Sequence, residues 1–214
     1  MTESAFSKGC SMVSVPSERV RAPLSVKIVI AGGFGVGKTT TVASISEIEP
    51  LSTEAAMTDV GQGIDHAELT PNKTETTAAL DFGRITFGDD LVLYLFGTPG
   101  QARFSFMWDE LARGAMGAIV VGDTRRLEES FPAINYFEKR GLPFVVGINC
   151  FDGVQLHTVE QVRDAVAVAD DVPVELFDAR ERTSVKESLT VLVEHSLRRA
   201  RAELRAASEP SPAQ

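Results

Sequence analysis

The segment Gly32-Gly33-Phe34-Gly35-Val36-Gly37-Lys38-Thr39 reads G-x-x-x-x-G-K-T and constrains this chain more than any other feature. It follows Val26-Lys27-Ile28-Val29-Ile30-Ala31, a β-branched apolar run suited to a buried strand, and precedes helix-compatible Thr40 to Ile48. Strand, glycine loop and helix in that order predict a phosphate-binding loop. The glycines let successive backbone N–H groups converge on an anion without Cβ clashes. The helix N-terminus adds unsatisfied donors and a partial positive charge. Lys38 is positioned to reach β- and γ-phosphate oxygens, and the Thr39 hydroxyl to ligate Mg²⁺. The candidate phosphate-side contacts are Gly32, Gly35, Val36, Gly37, Lys38, Thr39 and Thr40.

The chain of 214 residues carries a formal charge of −9, which disfavours nucleic acid or an anionic membrane as main partner. A nucleotide needs only the local positive potential of the loop. Two cysteines, Cys10 and Cys150, cannot form a disulfide framework and read as reduced thiols. No apolar run reaches membrane-spanning length, so the expectation is a soluble, cytoplasmic protein without an integral membrane segment. His66, His157 and His195 lack metal-ligand spacing.

Residues 1–23 are Ser-rich and read as a flexible arm, 24–205 as one P-loop domain, and 206–214 as a disordered tail. The polar stretch Glu49 to Thr76 is a long connection for a compact domain, a length that points to function. Leu80 to Phe87 and Leu91 to Phe96 flank Gly88-Asp89-Asp90 and predict an antiparallel hairpin. Apolar strands at Ala118 to Val121, Phe144 to Ile148 and Val172 to Phe177 then alternate with helices. Those are expected at Glu128 to Lys139, Thr158 to Ala169 and Thr183 to Leu204. The alternation predicts an α/β fold with a mostly parallel sheet between two helical layers and one antiparallel hairpin at its edge.

Three further segments end on strands. Phe96-Gly97-Thr98-Pro99-Gly100-Gln101, Asn149-Cys150-Phe151-Asp152 and Asp178-Ala179-Arg180 resemble, with the glycine loop, the signature set of a Ras-like small GTPase. That resemblance implies a three-layer P-loop NTPase fold, GTP and GDP as ligands and Mg²⁺ as cofactor. Thr77 would be the Thr that ligates Mg²⁺ and meets the γ-phosphate, with Thr76 and Thr74 as alternatives. The Gly100 N–H would bond the γ-phosphate, and Gln101 would orient the attacking water while Lys38 stabilises charge. Asn149 and Asp152 would serve the base, since a carboxylate accepts from both guanine donors and mismatches adenine. The Ala179 N–H would meet the guanine O6. Two residues depart from the family pattern: Gly97 stands at the usual acid's position and Cys150 at that of the base-packing Lys.

Over about residues 24–197 the wording Leu80-Asp81-Phe82-Gly83, Tyr94-Leu95-Phe96-Gly97, Asp123-Thr124-Arg125-Arg126 and Gly141-Leu142-Pro143-Phe144 is similar to bacterial GTPases of the MglA and actinomycete conservon type. By that likeness the partners would be a Roadblock/LC7-type protein and operon-encoded signalling proteins, with recruitment to the membrane periphery by partners. The expected activity is a switch with slow GTP hydrolysis. A nucleotide-sensing module with negligible hydrolysis and an ATP-using P-loop protein are the rivals. Phe34 either crowds a partner's catalytic arginine or points outward or onto Gln101. Arg103 is either an internal charge-stabilising group or a solvated helix-start residue. Asp123 is better explained as a cap or a partner for Arg125 and Arg126 than as a catalytic acid. Arg198, Arg199, Arg201 and Arg205 complement a helix C-terminus.

Overall fold

The computed structural model describes residues 23–57, 76–88, 90–100 and 106–208, with the backbone alone at 52–57 and 76–79. Expectations for the N-terminal arm, most of the 49–76 connection, Gln101, Arg103 and the last residues of the tail lie outside that description.

Strand β1 (Leu24–Gly32) enters the molecule and becomes fully buried from Ile28 onward. Its period-2 geometry sends Ile28 and Ile30 to one face and Val29 and Ala31 to the other, and both faces are covered. Helix α1 (Lys38–Ile45) follows the glycine loop. Strands β2 (Leu51–Met57), β3 (Thr76–Phe87) and β4 (Leu91–Gly97) come next, then α2 (Trp108–Ala112) and β5 (Ala115–Gly122). A 3-10 segment, Thr124–Ser130, leads into α3 (Phe131–Arg140), and β6 (Phe144–Asn149), α4 (Val159–Val166), β7 (Val174–Phe177) and α5 (Arg182–Ser208) complete the chain.

The sheet has seven strands in the order β2-β3-β4-β1-β5-β6-β7. β1 pairs in parallel with both β4 and β5, and β5-β6-β7 continue in parallel. β3 is antiparallel to β4 and to β2. One apolar layer joins the sheet to α1 and α5 through Val42, Ile45, Val185, Leu189 and Leu192. The other joins it to α3 and α4 through Ile134, Phe137, Val162 and Val166. Burial on both faces is why the central strands are continuous apolar runs. The expected α/β/α arrangement is therefore present.

Four differences from the sequence expectation have local causes. The 49–76 connection contains a strand, β2, that covers the outer edge of the long β3. Its sequence, Leu-Ser-Thr-Glu-Ala-Ala-Met, lacks alternation, and tertiary pairing rather than pattern recruits it. The helix expected from Glu128 starts at Phe131, because Pro132 belongs in a first turn and the preceding residues take 3-10 geometry broken at Arg126. The strand expected from Val172 starts at Val174. Helix α5 continues to Ser208, past the expected domain end at 205.

The β1 loop occupies a special place in this topology. From β1 the chain builds outward on one side through β4 and on the other through β5, so strand order reverses at β1. The carboxyl end of a strand at such a reversal is where open α/β sheets bind ligands.

Candidate functional site

The glycine loop leaves β1 at Gly32, whose φ is 137° and whose Cβ, if it had one, would lie 2.2 Å from the Val121 carbonyl oxygen. A side chain there would collide with the backbone of β5, so the residue type follows from the close approach. Val36 is buried and pins the loop into the α1/α5 apolar layer. Gly35 and Gly37 have positive φ, and Gly37 immediately precedes α1. Lys38 is 7% exposed and folds back so that Nζ donates to the Gly33 carbonyl at 2.5 Å. Burial lowers its pKa to about 8, opposed by the nearby carboxylates of Asp81 and Glu129. Thr39 and Thr40 remain exposed at the start of α1.

Gly100, at the end of the β4 segment, lies against this loop. A Cβ on it would fall 2.7 Å from Lys38 Nζ and 2.8 Å from the Gly33 carbonyl oxygen. The residue expected to face the γ-phosphate is thus beside the loop that would cradle it. Thr77 stands within β3, opposite Ala56, rather than in a free loop. The Thr39 hydroxyl donates to Asp81 Oδ2 at 2.6 Å.

The residues expected to serve the base gather at the ends of β6 and β7. Asn149 is buried; its Nδ2 donates to the Val36 carbonyl at 3.0 Å and its Oδ1 accepts from the Ala179 N–H at 3.1 Å. It therefore ties the phosphate loop to the 178–180 turn. The Ala179 N–H, expected to meet the guanine O6, is donated here to Asn149. Asp152 follows in a left-handed conformation (φ 58°) with its carboxylate exposed. Arg180 Nη1 donates to Asp152 Oδ1 at 2.9 Å, and the same guanidinium grips Asp178 through Nε and Nη2. The Arg180 hydrogen bond holds the Asp178 carboxyl below its usual pKa. Burial pushes the Cys150 thiol upward, so it is a protonated, uncharged neighbour at neutral pH.

Several site residues escaped the sequence reading. Asp81 and Gly97 are cross-strand partners, and the signal was available: counting back equally from the closing pair Phe87–Leu91 arrives at both. Arg180 was visible only as part of a tripeptide with little specificity. Arg126 was read only as a partner for Asp123 and Glu129 was not read at all, because only the 3-10 segment brings them to the glycine loop. Arg126 Nη2 donates to the Phe34 carbonyl at 3.2 Å, and Nη1 donates to Glu129 Oε1 at the same distance. A cleft of about 280 Å³ opens there, lined by Gly33, Phe34, Gly100, Trp108, Glu129 and Pro132. Phe34 is 65% exposed. Asp123 caps the 3-10 segment through the Arg125 N–H and pairs with the Arg125 side chain at 2.7 Å, as expected of a structural acid.

Comparison with known proteins follows the same lines. A family model described as "Conserved hypothetical ATP binding protein" matches residues 30–199. An uncharacterized protein of Methanocaldococcus jannaschii is 31% identical over 137 residues, 63% of this chain and 76% of that protein. Translation initiation factor IF-2 of Rickettsia felis is 28% identical over 139 residues, which is 58% of this chain but 17% of the factor. The cytosolic domain of the T. maritima FeoB iron transporter superposes with a TM-score of 0.57 in its apo form and 0.58 in a GDP form. Identity is 16% in both, and the apo match covers 81% of this chain and 64% of the other. This chain thus spans less than two thirds of that domain, and the likeness is one of fold. Among the described residues no helix is long and apolar enough to cross a membrane.

Proposed function

This chain belongs to the conserved hypothetical ATP-binding protein family, and from that premise we propose that it binds a purine nucleoside triphosphate and prefers guanine. The observation that carries the reading is Asn149. Its amide links the phosphate loop to the turn beside Asp152, so the loop and the base-reading carboxylate form one connected site. Backbone N–H groups of the loop and the N-terminus of α1 receive the phosphates. Lys38 exchanges its bond to the Gly33 carbonyl for phosphate oxygens. Asp152 turns from Arg180 toward the two guanine donors.

Mg²⁺ fits this site. The Thr39 hydroxyl donates its hydrogen bond to Asp81, which leaves the oxygen lone pairs for a hard cation that takes oxygen ligands. Thr39 would hold the ion, with Thr77 the second candidate, and the bound ion would neutralise charge on the phosphates. In the proposed reaction Gln101 orients water for in-line attack on the γ-phosphate while Lys38 stabilises the developing charge. Hydrolysis is slow without a partner, and the γ-phosphate sets the conformation of the segments around 49–77 and 97–108. The likeness to MglA-type and conservon proteins supports a cytoplasmic signalling switch with a Roadblock/LC7-type partner and recruitment to the membrane periphery. Co-purification with such a partner in a nucleotide-dependent manner is the expected result.

The family description names ATP, and Cys150 in place of a base-packing Lys keeps the adenine reading in contention. Competition of GTP and ATP against a fluorescent nucleotide separates the two. The wild-type protein should favour GTP, and Asp152→Asn should reduce that preference by about 10–100-fold. An unchanged base preference in the variant defeats the guanine assignment. Single-turnover hydrolysis, compared with Gln101→Ala, separates a GTPase from a module that only senses nucleotide.

A further inference from the structure

The arginines of the C-terminal half of α5 have no part in the site described above. Because α5 runs on to Ser208, Arg198 and Arg199 stand about two and a half turns before its end, beyond the reach of the helix-end dipole they were expected to complement. With His195 and Ala202 they occupy positions i, i+3, i+4 and i+7, a single stripe of the helix. That stripe forms one wall of a cleft of about 520 Å³. The other wall is the turn at 170–173, which leads into β7, together with Arg163 of α4. Since β7, β6, β5 and β1 all run in parallel, the cleft lies at their amino ends, on the rim of the sheet opposite the glycine loop and Asp152.

This cleft contains polar groups that the protein does not pair. His195 is 2% exposed, and its Nε2 is buried with no hydrogen bond. Arg163 Nη1 is buried and equally without a partner. Buried donors left in this way are costly and uncommon. Among the described residues Arg163, Arg198 and Arg199 form no ion pair, although Asp170 and Asp171 line the same cleft. Burial lowers the His195 pKa, Asp171 opposes the shift, and Arg199 and Arg198 reinforce it. The imidazole is therefore neutral at neutral pH and keeps one N–H to donate.

We propose that this cleft is a second ligand site, separate from the glycine loop, for a small soluble anion that carries phosphate. Arg198 and Arg199 grip its oxygens from α5 and Arg163 meets them from α4, through planar forks that match phosphate bidentately. His195 supplies a neutral donor at the floor. Three guanidinium groups outnumber the carboxylates of Asp170 and Asp171, which hold the anion to the arginine side of the cleft. A phosphate dianion gains more from that excess than a singly charged carboxylate does. A bilayer fits poorly, because a flat surface does not reach a floor residue as buried as His195, and the net charge of −9 opposes approach to anionic lipid.

The test is titration of the isotope-labelled full chain with inorganic pyrophosphate, followed by amide chemical shifts, with sodium chloride of equal ionic strength as the control. Amides at 163–173 and 195–202 should shift saturably at millimolar pyrophosphate and not in chloride. The glycine-loop amides report their own site in the same spectra, so the outcome at the cleft is independent of the nucleotide reading. Arg198→Ala/Arg199→Ala should weaken the cleft response by at least about 10-fold and leave the loop response in place. Arg198→Lys/Arg199→Lys, which keeps the charge and loses the forks, should weaken it by about threefold, and it decides the matter if the alanine variant does not fold. Sedimentation with phosphatidylcholine vesicles containing phosphatidic acid should show no binding that depends on these arginines. No saturable shift at the cleft, an undiminished response in the folded arginine variants, or arginine-dependent vesicle binding without a pyrophosphate response overturns the assignment.

Discussion

The glycine-loop end and the Asp152 end of the candidate site are built on different principles. Around Gly32–Thr39 the defining contacts are buried and largely made by backbone: Lys38 on the Gly33 carbonyl, Asn149 on the Val36 carbonyl, and Gly32 against Val121. Around Asp152 they are exposed and made by flexible charged side chains, with Arg180 shared between Asp152 and Asp178. Buried contacts among fixed groups are costly to leave unsatisfied, whereas exposed ion pairs are screened and contribute little. In the proposed reading, phosphate recognition would thus be set by the fold, while base recognition would be set by side chains that exchange partners on binding.

This contrast can be broken or sharpened by experiment. The largest effect is expected from Gly32→Ala, which puts a Cβ into the β5 backbone at a φ that L-residues avoid. We expect a loss of at least about 3 kcal/mol in stability, read by denaturant unfolding. A mild effect would mean that the loop yields more than its packing implies. Next is Lys38→Ala, for which nucleotide affinity measured by titration calorimetry should fall by about 10²–10³-fold while the fold persists.

The pH dependence of binding follows from the same lysine. Its pKa in the free protein is drawn down to about 8, and a bound phosphate would raise it. Below pH 8 Lys38 is already protonated and affinity should be flat on its account. Above pH 8 binding must take up a proton, so affinity should fall, by up to about tenfold per pH unit. Lys38→Ala should remove that dependence. The smallest effect is expected from Arg180→Ala, which frees Asp152 and should change nucleotide affinity by no more than about threefold, with a reduced salt dependence. A large loss there would show that Arg180 itself holds the base and that the base end is less adaptable than its exposure suggests.

Much of this was legible in the chain. The glycine loop, the strand before it and the helix after it came from pattern alone. So did the hairpin at Gly88–Asp90, because a tight turn between two apolar runs fixes its own register. Less legible was whatever depends on elements far apart in sequence meeting in space. Gly97 reads along the chain as a lost acid, and only pairing with β3 shows Asp81 standing there. Ala179 reads as a free donor, and only the approach of β6 to β7 gives its N–H to Asn149. β2 has no periodic signature, because edge pairing with β3 recruits it.

The sequence by itself determined that this chain carries a phosphate loop on an α/β sheet, since that loop is made of local backbone geometry and residue size. Which carboxylate stands behind Thr39, which donor Asp152 faces and what lies beneath Phe34 were decided by the tertiary structure. Those are contacts between strands and turns dozens of residues apart, and no local rule of propensity or spacing contains them.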